Sequence, residues 1–273
     1  ALIRSAGTSS HRFPHTGQMR RASDDYMPSV PTGALSGPDA DQLSRVLDRN
    51  TPVILRMVLE TQLTPDATSG NVIAEIVGRE YPEEIVLIGA HLDSWDLGTG
   101  AVDDGAGVGI VVGAAKLLLD QLPDGPKRTI RIVLFGAEEV GLIGARAYAQ
   151  KHAAELKSHV VAAESDFGAG KIWRFDTRIG EKRLPVAAAI AAALSPLGIA
   201  SGGNDARGGP DLYFLREAGV PVVSLVQNGW DYFDLHHTAN DTFDKIDAEN
   251  LAQNVAAYAV FAYLASEVDG GFR

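Results

Sequence analysis

Ile85-Val86-Leu87-Ile88-Gly89-Ala90-His91-Leu92-Asp93 is an unbroken apolar run, rich in β-branched residues, that ends on an imidazole and a carboxylate. A strand with one face in water alternates apolar and polar residues. One that is apolar at nearly every position is covered on both faces, as in a parallel sheet packed between helices. The same pattern recurs on either side of this stretch. Thr129–Phe135 leads through Gly136-Ala137 to Glu138-Glu139, Val160–Ala163 leads to Glu164-Ser165-Asp166, and Val220–Leu225 leads to a loop carrying His236-His237. Val72–Val77 reads as a further strand. Helices are predicted over Gly105–Leu122, Leu142–Lys151, Pro185–Leu197, Pro210–Ala218 (closed by Gly219) and from an Asp247 cap to about Val268. Strands alternating with helices predict an α/β fold: a mostly parallel, mixed central sheet flanked by helices on both faces.

The upstream part differs in texture. Residues 5–38 are rich in Ser, Pro, Gly, His and Arg, include Phe13-Pro14-His15-Thr16-Gly17, and read as loops and short strands. A short helix is expected from Pro38-Asp39 through Leu47, then a strand over 53–63. Turn formers between Pro65 and Gly70 mark a boundary, dividing the chain into 1–66 and 67–273. Ala1-Leu2-Ile3-Arg4-Ser5 reads as the end of a buried strand, with no initiator Met and no signal-peptide pattern, so the chain is expected to be a fragment of a longer precursor.

Composition narrows the possible functions. The 273 residues are 45% hydrophobic and 22% charged, enough to bury a core without a structural metal. The 35 acidic against 24 basic residues give a formal charge of −11, which repels nucleic-acid phosphates. No apolar stretch is long enough for a membrane span. There are no cysteines, which excludes disulfides and thiolate ligands. No Gly-x-Ser-x-Gly follows a strand, and there is neither a P-loop nor a His-Glu-x-x-His helix.

In open α/β sheets ligands gather beyond the carboxyl ends of the strands. Four such ends here carry His or carboxylates. Singly, each has a plain reading as a solvated turn. Jointly, imidazoles and carboxylates without thiols suit zinc or a similar divalent ion, and so many carboxylates in one place need cations to neutralise them. Asp93, two residues after His91, is placed to orient that imidazole as an acceptor. Trp95, Trp230, Tyr232 and Phe233 are candidate pocket walls. His11, His15, His152 and His159 show no ligand spacing, and Asp211 reads as a helix N-terminal residue.

The run from His91-Leu-Asp-Ser-Trp-Asp to Val102-Asp103-Asp104-Gly resembles the co-catalytic zinc exopeptidases, the family of bacterial leucyl aminopeptidases and aminopeptidase Y. Phe13-Pro-His-Thr-Gly, Ala137-Glu138-Glu139-Val-Gly-Leu, Glu164-Ser165-Asp166 and Tyr232-Phe-Asp-Leu-His-His237-Thr extend the likeness over nearly the whole chain, nearest to the plasma glutamate carboxypeptidase group. The resemblance implies two Zn2+ ions bridged by Asp103, with His91 and Asp166 completing one site and Glu139 and His237 the other. It implies Glu138 as general base and a cis peptide between Asp103 and Asp104. His237 matches the ligand position better than His236. Arg207 stands where some members place a substrate-binding Tyr, and would bind an oxyanion or a substrate carboxylate. Residues 1–66 resemble part of an inserted, β-rich protease-associated domain. The implied activity is hydrolysis of small peptides with a free N-terminus, by a homodimer that is periplasmic or secreted.

Two other readings share the fold. One is a non-catalytic module like the transferrin receptor ectodomain, against which all five ligand positions and Glu138 argue. The other is a single-zinc, glutaminyl-cyclase-like transferase, from which the His91–Asp96 run leans away.

Overall fold

The structure, a computed structural model, describes residues 1–18, 31–60 and 64–273. Its elements in chain order are β1 (Leu2–Arg4), β2 (Gly33–Leu35), α1 (Gly37–Leu47), β3 (Val72–Ile76), β4 (Tyr81–His91), α2 (Ala106–Gln121), β5 (Arg128–Phe135) and α3 (Ile143–Lys151). These are followed by β6 (His159–Glu164), β7 (Ile172–Arg178), α4 (Leu184–Leu194), β8 (Ala200–Ser201), α5 (Tyr213–Glu217), β9 (Val222–Gln227), α6 (Tyr232–Leu235) and α7 (Ala248–Glu267).

Seven strands form one sheet in the order β3-β5-β4-β6-β9-β7-β8. Its centre, β5-β4-β6-β9, is parallel throughout. Antiparallel pairings lie outside it, β3 on β5 and β7 on β9. Side chains alternate between the two faces, as strand geometry requires. Val86, Ile88 and Ala90 of β4 face the core built with α2, α4 and α7, whereas Ile85 and Leu87 face the smaller core shared with α3 and α5. The apolar runs are continuous because both faces are covered. The Asp247 carboxylate accepts from Asn250 N at 2.8 Å and starts α7.

Three expectations are corrected. No strand forms among the described residues of 53–63. Residues 53–60 lack a partner strand and Ile54 is 96% exposed, while 61–63 lie outside the described residues. The helix expected over Pro210–Ala218 begins only at Tyr213, and the Asp211 and Leu212 amides before it donate to the Glu164 carboxylate (3.0 and 3.3 Å). Strand β7 was not anticipated. Arg174 and Asp176 interrupt its apolar pattern, and they pair with each other. Upstream of Asn71 the described residues hold two three-residue strands, paired in parallel, and α1, whose cap is Ser36.

Candidate metal centre

Each functional side chain leaves the sheet where a parallel strand stops. His91 is the last residue of β4, Glu138 and Glu139 follow β5, Asp166 follows β6, and His236 and His237 lie in the loop after β9 and α6. Asp103 enters from the turn before α2. Adjacent strands in register thus bring together residues that are far apart in sequence.

The two oxygens of Asp103 face different imidazoles. Oδ1 lies 3.1 Å from His91 Nε2, and Oδ2 lies 3.2 Å from His237 Nε2. His91 Nε2 is also 3.3 Å from Asp166 Oδ1, and His237 Nε2 is 2.8 Å from Glu139 Oε2. The five residues therefore fall into two groups that share Asp103. The Asp103–Asp104 peptide is cis. His236 stacks on His237 with ring centroids 3.6 Å apart and reaches Asp103 Oδ2 at 3.4 Å, but only His237 also meets Glu139.

The tautomers follow from the bonds on the far side of each ring. His91 Nδ1 lies 2.9 Å from the Asp93 carbonyl, and His237 Nδ1 lies 3.1 Å from the Thr16 carbonyl. A carbonyl oxygen only accepts, so both Nδ1 atoms carry a proton, and Nε2 is the ring nitrogen turned toward the carboxylate oxygens. Asp103 Oδ2 and Glu139 Oε1 are buried with no hydrogen-bond partner among the described residues. A proton or a metal cation must lie between each Nε2 and the carboxylates facing it, and the donor set, two nitrogens with oxygens and no sulfur, suits zinc. His91, Asp103, Glu139, Asp166 and His237 fit such ions.

The carboxylates make the site favour positive charge. Burial opposes charge on His237, but Asp103 and Glu139 outweigh it and push the imidazole up to about 9. Burial likewise opposes charge on His91, and the hydrogen bonds of Asp103 and Asp166 overcome it. Burial, reinforced by Asp166, pushes Glu138 up to about 7. His236 is pushed down to about 4 by burial and by His237.

Asp93 holds the His91 ring as an acceptor, as expected, but through its main chain. Its backbone carbonyl, not its carboxylate, holds the His91 ring, from which Oδ1 stands 3.8 Å away. The carboxylate instead accepts from Glu138 N at 2.9 Å and Glu139 N at 3.1 Å, fixing the turn that carries both glutamates. Tyr232 is buried, stacks on Phe167 at 4.3 Å, and lines a cavity of about 460 Å³ with Asp103, Glu138, Glu139, Asp166 and His237. Arg207 is not in this cavity. It is exposed on an adjoining, more apolar cavity of about 720 Å³ that shares Leu142, Asp166, Phe167 and Pro210 with the first. Trp95 lines neither cavity. It lies against His237, with centroids 6.2 Å apart, and its indole Nε1 is buried without a partner among the described residues.

Several supporting residues were not singled out from sequence. The Asp241 carboxylate accepts from the Val102 and Asp103 amides (3.1 Å to the latter) and so aims Asp103. Asp104, fully buried, accepts from His91 N and Gly107 N, each at 3.0 Å. A Cβ at Gly107 would come within 2.1 Å of the Ser165 carbonyl, so glycine there lets α2 approach β6. Asp211, expected to be a helix N-terminal residue, lies before α5 and is buried with both carboxylate oxygens unpartnered among the described residues, and burial, with Glu138 beside it, pushes it up to about 8. Thr238-Ala-Asn-Asp241 offered the one legible hint, since Asp241 follows closely on His237.

Comparison with known proteins places this centre in a family context. The model of peptidase family M28 matches residues 71–262. Carboxypeptidase Q of Homo sapiens is 35% identical over 269 residues, which is 98% of this chain and 56% of that protein. The chain thus spans about half the length of the curated relatives it matches. A crystal structure of a peptidase M28 precursor from Shewanella amazonensis SB2B is 52% identical, with a TM-score of 0.95 over all of this chain and 61% of its own. The zinc aminopeptidase of Bacillus subtilis shares the fold at 23% identity and a TM-score of 0.54, over 70% of this chain and 49% of its own.

Proposed function

Because the chain belongs to peptidase family M28, we propose that it is a metallo-exopeptidase of the aminopeptidase or dipeptidase type, hydrolysing small peptides with a free amino terminus at two zinc ions. The observation that carries this reading is the pair of Nε2 atoms, on His91 and His237, turned toward the two oxygens of one shared carboxylate, Asp103. Asp103 would hold both ions, His91 and Asp166 one of them, and Glu139 and His237 the other. When bound, such ions lower the pKa of water and polarise the substrate carbonyl.

The chain's own groups do the rest. Glu138 takes a proton from the attacking water and returns it to the leaving amine, a role its upward-shifted carboxyl suits. Asp93 keeps Glu138 and Glu139 in register by holding both amides. Phe167, Tyr232, Phe233 and Leu142 wall the cavity and shield the reacting bond from bulk water. Glu138, which holds no ion, leaves a carboxylate beside the cavity that can meet an ammonium group. The side chain of Arg207, which makes no ion pair among the described residues, supplies a cation for a carboxylate. A dipeptide carries both charges. Its one peptide bond is amino-terminal and carboxy-terminal at once, so a relative named as a carboxypeptidase and an amine-favouring site agree. Homodimerisation and export beyond the cytoplasm belong to the same proposal on family likeness alone.

The test is hydrolysis of a panel of dipeptides, free and N-acetylated. Cleavage of the free forms at a rate at least ten times that of the blocked forms is expected. Zinc-loaded protein that cleaves neither, or that returns an N-terminal glutamine peptide in cyclised form, would overturn the reading.

A further inference from the structure

The segment from Thr8 to Gly17 lies outside the stretch matched by the family model, yet it packs on the loop that carries His237. The Asp234 carboxylate accepts from Thr8 N and from Ser9 N, the latter at 2.9 Å. His15 Nε2 donates to the Phe233 carbonyl at 2.9 Å. Thr16 and His237 bond reciprocally: Thr16 N–H donates to the His237 carbonyl at 2.7 Å, and His237 Nδ1–H donates to the Thr16 carbonyl at 3.1 Å. The second bond puts a proton on Nδ1, so that Nε2 is the nitrogen that can take an ion, and it also fixes the direction of the ring. His237 has a φ of 57°, in the left-handed region that is unfavourable for a non-glycine residue. Thr16 clamps this residue by backbone and ring together. His91 needs no such help, because the Asp93 carbonyl in its own loop holds its Nδ1.

We propose that Thr16 is a positioning residue for one of the two zinc sites: its backbone presents His237 Nε2 to the ion shared with Glu139, so the Phe13–Gly17 segment belongs to the metal centre. This inference rests on reading His237 as a zinc ligand. It makes the two sites unequal in their dependence on the segment. Losing an outer hydrogen bond of this kind typically weakens metal binding by about 10–100-fold.

The experiment is a competition titration of zinc against a chromophoric chelator on full-length protein, with thermal midpoints of the apo forms. Thr16→Pro removes the N–H given to His237. In that variant one zinc should keep its wild-type affinity, the other should weaken about 10–100-fold, and the apo midpoint should hold. Two zincs at wild-type affinity, or two weakened equally, would overturn the inference. Should Thr16→Pro not fold, Asp234→Ala decides, since it only releases the anchors of Thr8 and Ser9. Selective weakening of one zinc supports the clamp, and unchanged affinities overturn it. A wild-type protein that binds no zinc would remove the ligand assignment, and the clamp with it. Two wild-type zincs with unaltered variants would remove the clamp alone.

Discussion

Glu138 and Glu139 are neighbours with different surroundings. Glu139 Oε2 lies 2.8 Å from His237, whereas Glu138 lines the cavity with no imidazole against it. One carboxylate is placed to bind an ion and the other to move a proton. Glu138→Gln should therefore lower kcat by about 10²–10⁴ and leave zinc content unchanged, as steady-state rates and elemental analysis would reveal. Asp93→Ala should free both glutamate amides, costing about 10–100-fold in affinity at the Glu139 site. The His91 site should hold, because a backbone carbonyl holds that ring. Loss of the His91-side zinc instead would restore the ring-orienting role expected from sequence. The position of Asp93 was legible in its spacing from His91, but its partners were not. Whether such a carboxylate meets the ring or the amides depends on how two separate loops turn toward each other. Asp241 and Thr16 escaped notice for the same reason, since each acts on a residue that only the tertiary fold brings near.

At the scale of elements, the four parallel strands could be read from their β-branched runs because each is buried on both faces. Strand β7, at the antiparallel margin, hid behind its charged pair, and α5 starts three residues later than expected, after amides that donate to Glu164. A Cβ at Gly209 would meet Glu164 Oε2 at 2.1 Å, so the approach to α5 is built around that buried carboxylate. Strand β6 begins on His159, which is fully buried. Its Nδ1–H donates to the Glu155 carbonyl at 3.0 Å, and its Nε2 accepts from the Tyr148 hydroxyl at 2.7 Å. That hydroxyl in turn accepts from Arg131 at 2.8 Å. Burial pushes His159 down to about 4. The unfolded chain takes up its proton near pH 6.5 and the folded chain only near 4. Stability from this group is therefore complete above about 6.5 and lost progressively as the pH falls toward 4, about 3 kcal/mol in all. Denaturant midpoints at pH 7.5 and 5 should differ more in the wild type than in His159→Gln. Equal differences would contradict this role.

Across the whole molecule, four strand ends bring imidazoles and carboxylates into one buried place on a chain that already carries a net charge of −11. Among the described residues no helix is long and apolar enough to cross a membrane. The convergence was legible because a parallel sheet sends every carboxyl end to the same edge. The cavity walls were less so, since Trp95 and Arg207 took places that spacing alone does not fix. Cations that tie these ends together should stabilise the fold by mass action, about 4 kcal/mol per site at a free ion concentration of a thousand Kd. That corresponds to a rise of several degrees or more in Tm on adding zinc, reversed by a chelator. Differential scanning calorimetry would measure it, and a Tm indifferent to both would speak against bound ions.

The most direct measurement is zinc per folded chain, by elemental analysis, on the wild type and on Asp103→Ala. Two zincs in the wild type, and fewer than one in a variant that keeps its fold, are the expected result, since a single carboxylate faces both groups of ligands. One zinc or none in the folded wild type, or two retained without Asp103, would contradict a shared two-ion centre.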